Sequence, residues 1–185
     1  MKSPEINNEF LSFLVEIDIM SLKTELAKLD KKQLIELVAD LYKKNKAVQE
    51  YLNFFIKPDE DGLFEKYKIK VYEAFFPKRG FGHNLKQGKQ AISDFKKLGP
   101  SECFVADLML FYVETGVQFT NDFGDIDQTF YSSLETTFAA ALKIMKKEDV
   151  LDKFEDRAAS ILKDTQNIGW GFHEVLCDTF YQFYE

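Results

Sequence analysis

The chain has 185 residues, of which 45% are hydrophobic and 15% aromatic, including 19 Phe and 8 Tyr. This length suits a single domain with a large core, and the composition excludes intrinsic disorder. The net charge of -7 argues against a dedicated duplex-binding protein, because neutralising phosphates requires a basic surplus.

The first twenty residues, MKSPEINNEFLSFLVEIDIM, contain an apolar run that Glu16 and Asp18 interrupt. The run lacks a basic n-region and a small-residue cleavage site, so we do not expect a signal peptide. We also expect no transmembrane helix and no membrane association, because no run of about 18 uncharged apolar residues occurs. Met20 offers an alternative start, so we interpret residues 1–19 as an N-terminal extension or extra helix and residues 20–185 as a single all-helical domain.

Apolar residues recur at helical spacing along most of the chain, which predicts about ten helices. One stripe follows Asp30, which has Gln33 at the spacing of a capping box. Each stripe predicts an amphipathic helix with one face toward the core. The stripes comprise Leu34, Leu37, Val38, Leu41 and Tyr42; Phe64, Tyr67, Val71 and Phe75; Phe130, Leu134, Phe138, Ala141 and Met145; Leu151, Phe154, Ala158 and Ile161; and Phe172, Leu176, Thr179, Phe180 and Phe183.

The segment ECFVADLMLFYVETG, residues 102–116, is apolar nearly all round, which predicts a central helix surrounded by others. No alternating apolar and polar run occurs, so no sheet is predicted. Short polar connectors at residues 43–47 and 96–102 favour antiparallel hairpins over Lys31–Phe55 and Lys89–Tyr112. The predicted class is therefore all-α, with antiparallel helical hairpins packed as a compact multi-helix bundle or as a short helical-repeat solenoid.

A glycine-rich basic stretch, KRGFGHNLKQGKQ, covers residues 78–90. Its glycine spacing fits neither a Walker loop nor a dinucleotide fingerprint. We interpret it as an interhelix loop, with Asn84 capping the next helix. The alternative is an anion, RNA or partner site, because five cationic or titratable side chains would gather at a helix N-terminus. These side chains are Lys78, Arg79, His83, Lys86 and Lys89.

Four carboxylates, Glu114, Asp122, Asp125 and Asp127, suggest a second candidate site. We favour a structural interpretation in which Asp125 caps the following helix and Gln128 completes a box-like spacing. Glu114 lies near the end of the apolar helix, so it needs a partner, either a cation or a basic side chain such as Arg157. The alternative is a site for a hard cation, although the spacing of an EF-hand is absent.

His173 and Cys177 share one helix face, but zinc requires more protein ligands, so we expect packing with a hydrogen-bonded imidazole. The two cysteines, Cys103 and Cys177, are too few for a disulfide framework, which favours a reducing cytoplasm; a single disulfide is the alternative. We predict no catalytic residue, no cofactor and no metal.

From Met20 onward, SLKTELAKLDKKQLIELVADLYKKNKAVQEYL and YVETGVQFTNDFGDIDQTFYSSLE resemble a family of short bacterial helical proteins catalogued only as a domain of unknown function. The resemblance covers nearly the whole chain after residue 19, and residues 1–19 depart from the pattern. It implies an all-helical cytoplasmic protein. It supplies no activity, so no catalytic residue is carried over.

The leading hypothesis is a noncatalytic protein-interaction module that binds an unidentified protein partner. Its contact surface would be an exposed helical groove or the aromatic C-terminus FYQFYE, residues 180–185. The alternatives are a metal-assisted hydrolase or phosphate-ligand binder using the four carboxylates, and RNA binding through residues 78–89.

Overall fold

A computed structural model describes residues 17–184 of the chain. Throughout that range the secondary structure is helical and contains no strand, which confirms the predicted all-α class. Between residues 17 and 184, a short 3-10 helix, Leu151–Lys153, accompanies nine α-helices. These are α1 (Ile19–Leu26), α2 (Lys31–Lys44), α3 (Lys46–Ile56), α4 (Glu60–Phe75), α5 (Leu85–Lys97), α6 (Glu102–Phe123), α7 (Gln128–Lys147), α8 (Glu155–Asp164) and α9 (Phe172–Tyr181).

The chain divides into two units, residues 1–52 and 53–185, with the boundary inside α3. The prediction for residues 1–19 falls largely on residues 1–16, which lie outside the described residues. The assignment of residues 20–185 to one domain stays a prediction.

The helices of the first unit begin at side-chain caps. Asp18 accepts a hydrogen bond from the backbone N–H of Ser21, which starts α1. Asp30 and Gln33 form the predicted capping box at the start of α2, with bonds of 2.8 and 2.9 Å. Despite these well-formed starts, none of the residues of α1, α2 or α3 is buried.

The predicted hairpin over Lys31–Phe55 does not form. Only Asn45, with extended dihedrals of φ -130° and ψ 113°, separates α2 from α3. Reversal between two helices takes about two to five residues, so one residue cannot fold α3 back along α2. Accordingly, α2 and α3 do not pack against each other as a pair.

The second unit is a bundle around α6, which packs against α4, α5, α7 and α8. The predicted central helix is therefore confirmed. The carboxylate of Glu60 accepts a hydrogen bond from the backbone N–H of Ser101, which places the starts of α4 and α6 side by side. At the other end, Asn84 N–H donates to the carbonyl of Ala74 at 2.7 Å, which holds the start of α5 beside the end of α4.

Aromatic rings fill the core of this unit. The ring of Phe75 lies edge-on to the rings of Tyr112 and Phe130, at centroid distances of 5.1 and 6.1 Å. Gly116 lets α6 and α7 approach closely, because a Cβ there would lie 2.5 Å from Leu134 Cδ2. Most residues of the stripes predicted for α4, α7, α8 and α9 are buried, as expected.

Candidate functional site

The basic loop between α4 and α5 is an ordinary helix connection. Asn84 accepts a hydrogen bond from the backbone N–H of Gln87 at 3.0 Å, which confirms the predicted cap of α5. Lys78 pairs with Glu73 at 2.6 Å. The imidazole of His83 packs edge-on to the rings of Phe119 and Phe130, so it faces the aromatic core.

Lys89 is also directed inward. Its Nζ donates a hydrogen bond to Thr137 Oγ1 on α7 and lies 5.5 Å from the centre of the Tyr112 ring. Burial lowers the pKa of Lys89, and the nearby charge of Lys96 lowers it further. Lys89 therefore joins three helices.

The five cationic or titratable side chains thus occupy different environments. Lys78, Arg79 and Lys86 are exposed, whereas His83 and Lys89 are half-buried. An open groove of about 450 Å³ lies beside α5 and includes Lys86 in its lining. Its carboxylate Asp94 already pairs with Lys97, at 3.0 Å. Nothing in this arrangement marks an anion site.

Glu114 is paired with Arg157, the partner considered from the sequence. The guanidinium makes two bonds to Glu114, of 2.5 and 2.7 Å, and one to Asp107 of 2.5 Å. Burial opposes the charged form of Arg157, but the hydrogen bonds and charges of Glu114 and then Asp107 raise its pKa. The cluster joins α8 to α6.

The remaining carboxylates of the candidate metal site have separate roles. Asp127, not Asp125, caps α7, because the helix begins at Gln128 and Asp127 accepts from the N–H of Phe130 at 2.8 Å. The prediction for Asp125 was therefore wrong. Asp125 instead accepts from the Tyr131 hydroxyl at 2.8 Å and from the N–H of Gly169 at 3.3 Å. Asp122 is exposed on the last turn of α6.

The four carboxylates do not meet at one point. Within residues 17–184, no group of three or more His, Cys, Asp or Glu side chains is arranged to hold a metal ion. The geometry gives no support to the metal-assisted alternative.

His173 has the hydrogen-bonded setting expected from the sequence. Thr165 donates its hydroxyl proton to the carbonyl of Leu162, so its oxygen accepts from His173 Nδ1 at 2.8 Å. The other nitrogen, Nε2, faces Cys177 Sγ at 3.5 Å. Burial, followed by the charges of Asp178 and Glu174, raises the pKa of Cys177 and keeps the thiol protonated. Cys103 and Cys177 are both free, so the alternative of a single disulfide is not realised.

The aromatic C-terminus packs mostly inward. Phe180 is buried, and the ring of Tyr184 stacks on it at 4.5 Å while its hydroxyl donates to the carbonyl of Leu151. Phe183 is half-buried, and only Tyr181 of the four described aromatic side chains is exposed. This segment offers little apolar contact surface.

Exposed apolar side chains occur on several elements, among them Phe55, Ile56 and Phe81, and on α2 they form a stripe. This stripe was expected to face the core, but Leu37, Val38 and Leu41 are 38%, 45% and 45% exposed. We define the α2 stripe as Leu34, Leu37, Val38 and Leu41. The spacing of these residues places all four on one helix face.

Residues 18–183 match a family of unknown function, DUF6155. The chain belongs to this family. The match confirms the resemblance noted from Met20 onward, and it includes α1 and α2 as well as the bundle around α6. No curated protein and no solved structure matches the chain. None of the helices within residues 17–184 has the length and apolar character needed to cross a membrane.

Proposed function

We propose that this protein is a noncatalytic protein-interaction module, and that the α2 stripe is its contact surface. The observation that carries the proposal is the exposure of Leu37, Val38 and Leu41 on a helix without a buried residue. Scattered apolar side chains are normal on a surface, but adjacent ones that form a stripe are typical of an interaction site.

The energetics favour docking of this stripe. Complete burial of one Leu or Val side chain contributes about 1.5–3 kcal/mol, and roughly half of that remains available at Leu37, Val38 and Leu41. An amphipathic helix with anchors at this spacing is one of the common forms of peptide and helix recognition. The α2 stripe can therefore supply a small contact that several side chains stabilise together.

The polar clusters of the second unit support a noncatalytic function, since they serve the fold. Arg157 holds α8 to α6 through Glu114 and Asp107, and Thr165 fixes the imidazole of His173. The protonated thiol of Cys177 is a poor nucleophile. We also infer a bacterial, cytoplasmic protein, which the family resemblance and the two free thiols support.

The test uses two neighbouring residues of α2, one inside the stripe and one outside it. Val38→Glu places a charge in the stripe, whereas Ala39→Glu places the same charge roughly 100° away, outside it. The tagged full-length protein and both variants are used for affinity purification from the host. We expect a stoichiometric protein in the eluates of the unmodified chain and of Ala39→Glu, and its loss from Val38→Glu.

Circular dichroism of both variants checks that the helical fold is kept. A partner that Val38→Glu retains, or that both variants lose equally, would contradict the assignment of the α2 stripe.

A further inference from the structure

We infer that the partner of the α2 stripe is an amphipathic helix whose apolar anchors are flanked by acidic side chains. This inference rests on the proposed function and identifies the chemical class of the partner.

The charges around α2 carry the inference. At about 100° per residue, Lys31 lies roughly 60° from Leu34 on one side of the stripe, and Lys44 lies roughly 80° from it on the other. Glu36 and Asp40 lie farther round, roughly 160° and 120° from Leu34. The edges of the α2 stripe are therefore basic at both ends, and its carboxylates are on the more distant faces.

The helix dipole strengthens the positive charge at the start of α2. Its first turn contains Lys31 and Lys32 and no acidic residue, so two cations lie at the positive end of the dipole. Only the cap Asp30 opposes them locally. Lys32 lies roughly 160° from Leu34, on the distant face, so an acidic side chain of a docked partner would be attracted mainly by Lys31 and by the dipole.

At the opposite end, Lys43 and Lys44 complement the dipole, and Lys44 also pairs with Asp40 at 2.7 Å. Both side chains of that pair are largely exposed, so the pair is weak and can exchange for a carboxylate of the partner. Acidic residues at both ends of a partner helix thus find basic residues opposite them.

The same charges disfavour a second copy of this chain as the occupant. Antiparallel pairing of two α2 helices through the stripe brings Lys31 of one copy and Lys44 of the other to the same end, and parallel pairing brings the two copies of each of these lysines to the same end. Either arrangement brings lysines together, which costs energy through like-charge repulsion.

The length of the stripe sets the size of the partner. Leu34 and Leu41 are about 10.5 Å apart along the helix axis, which is roughly two turns. A partner segment of about three turns, with anchors at i, i+3, i+4 and i+7, covers the stripe and reaches the lysines at both ends.

The experiment uses two synthetic helical peptides that carry the same leucine anchors. In the acidic probe, glutamates flank the leucines; in the basic probe, lysines replace those glutamates. Fluorescence anisotropy measures the binding of each peptide to the full-length protein. We expect the acidic probe to bind at least about tenfold more tightly, since its glutamates pair with the edge lysines that repel the basic probe.

Charge reversal on the protein provides the matched test. The double variant Lys31→Glu, Lys44→Glu should lose the preference for the acidic probe or reverse it. Val38→Glu should abolish binding of either probe, and Ala39→Glu should leave the preference for the acidic probe intact.

The outcomes separate the two proposals. Equal binding of both peptides, abolished by Val38→Glu, would overturn the acidic partner and keep the contact surface. Absence of binding by both peptides, together with an eluate unaffected by Val38→Glu, would overturn both. A concentration-dependent dimer in analytical ultracentrifugation that Val38→Glu dissociates would assign the α2 stripe to a second copy and overturn the acidic helix.

Discussion

Helices α2 and α7 have the same local design and different surroundings. Each begins at an aspartate cap, Asp30 or Asp127, and each carries an apolar stripe at helical spacing. Leu134 on α7 is fully buried, whereas Leu41 on α2 is 45% exposed. An amphipathic stripe therefore establishes that a helix forms and which face is apolar, but it does not establish what covers that face.

Truncating one leucine on each helix gives the largest expected difference. Leu134 packs against Gly116 in the core, so Leu134→Ala should lower the free energy of unfolding by about 2–5 kcal/mol. Leu41→Ala removes a half-exposed side chain and should change the free energy of unfolding by about 0.5 kcal/mol or less. Denaturant titration followed by circular dichroism measures both.

In both variants, the free energy of unfolding should fall with denaturant concentration at the same slope as in the unmodified protein. An unchanged slope shows that the substitution does not alter the surface exposed on unfolding. A loss at Leu41 comparable with that at Leu134 would mean that the α2 stripe is covered in the isolated protein. That result would remove the main difference between the two units.

Charge pairs offer a second comparison, between a half-buried cluster and an exposed pair. Arg157→Met would leave Asp107 and Glu114 without their shared cation, and we expect a loss of about 3 kcal/mol, near the low end for broken buried pairs. Lys97→Met removes the partner of Asp94 in a pair whose side chains are 67% and 43% exposed, and it should cost about 0.5 kcal/mol or less. Thermal or denaturant unfolding of both variants measures the difference.

The sequence predicted the helices better than their contacts. The expected hairpin of α2 and α3 rested on a five-residue polar connector, KKNKA. Four of those residues, Lys43, Lys44, Lys46 and Ala47, are good helix formers and extend the two helices. Only Asn45 remains between them, and its side chain accepts from the N–H of Ala47 to start α3.

The same limit applies to the candidate sites. The need of Glu114 for a basic partner followed from its place on an apolar helix, and Arg157 was named from the sequence. The role of Asp107 in the same cluster was not predicted from the sequence, because that role depends on how α8 packs against α6. Asp125 and Asp127 both precede α7, and the choice between them depended on a helix boundary that sequence patterns locate only to within a few residues.

Alkaline pH should reveal how the C-terminus is attached to the second unit. Burial, with the charges of Glu155 and Asp152, raises the pKa of Tyr184 to about 12. The pKa in the folded state lies above the ordinary value of 10.0, so the contribution of the protonated hydroxyl is complete below pH 10 and is lost as pH rises to 12.

Tyr184→Phe removes this titration and the hydrogen bond to Leu151. We expect a loss of about 1 kcal/mol at neutral pH and a smaller decline between pH 10 and 12 than in the unmodified protein. Unfolding of both proteins across that range gives the difference. An identical decline in both would show that Tyr184 is not responsible for the alkaline loss.

The two aspartate caps give the smallest effect and the closest comparison. Asp127→Ala should lower the free energy of unfolding by about 1 kcal/mol, because α7 unfolds together with the core that buries its stripe. Asp30→Ala removes an equally well-formed cap, but α2 has no buried residue, so the main unfolding transition should hardly change. The loss at Asp30 should instead speed amide hydrogen exchange in α2, since a helix with no buried residue depends strongly on its own cap and local hydrogen bonds. Hydrogen exchange measured by mass spectrometry distinguishes local opening of α2 from unfolding of the whole domain. If Asp30→Ala lowers the global stability as much as Asp127→Ala does, α2 unfolds with the core.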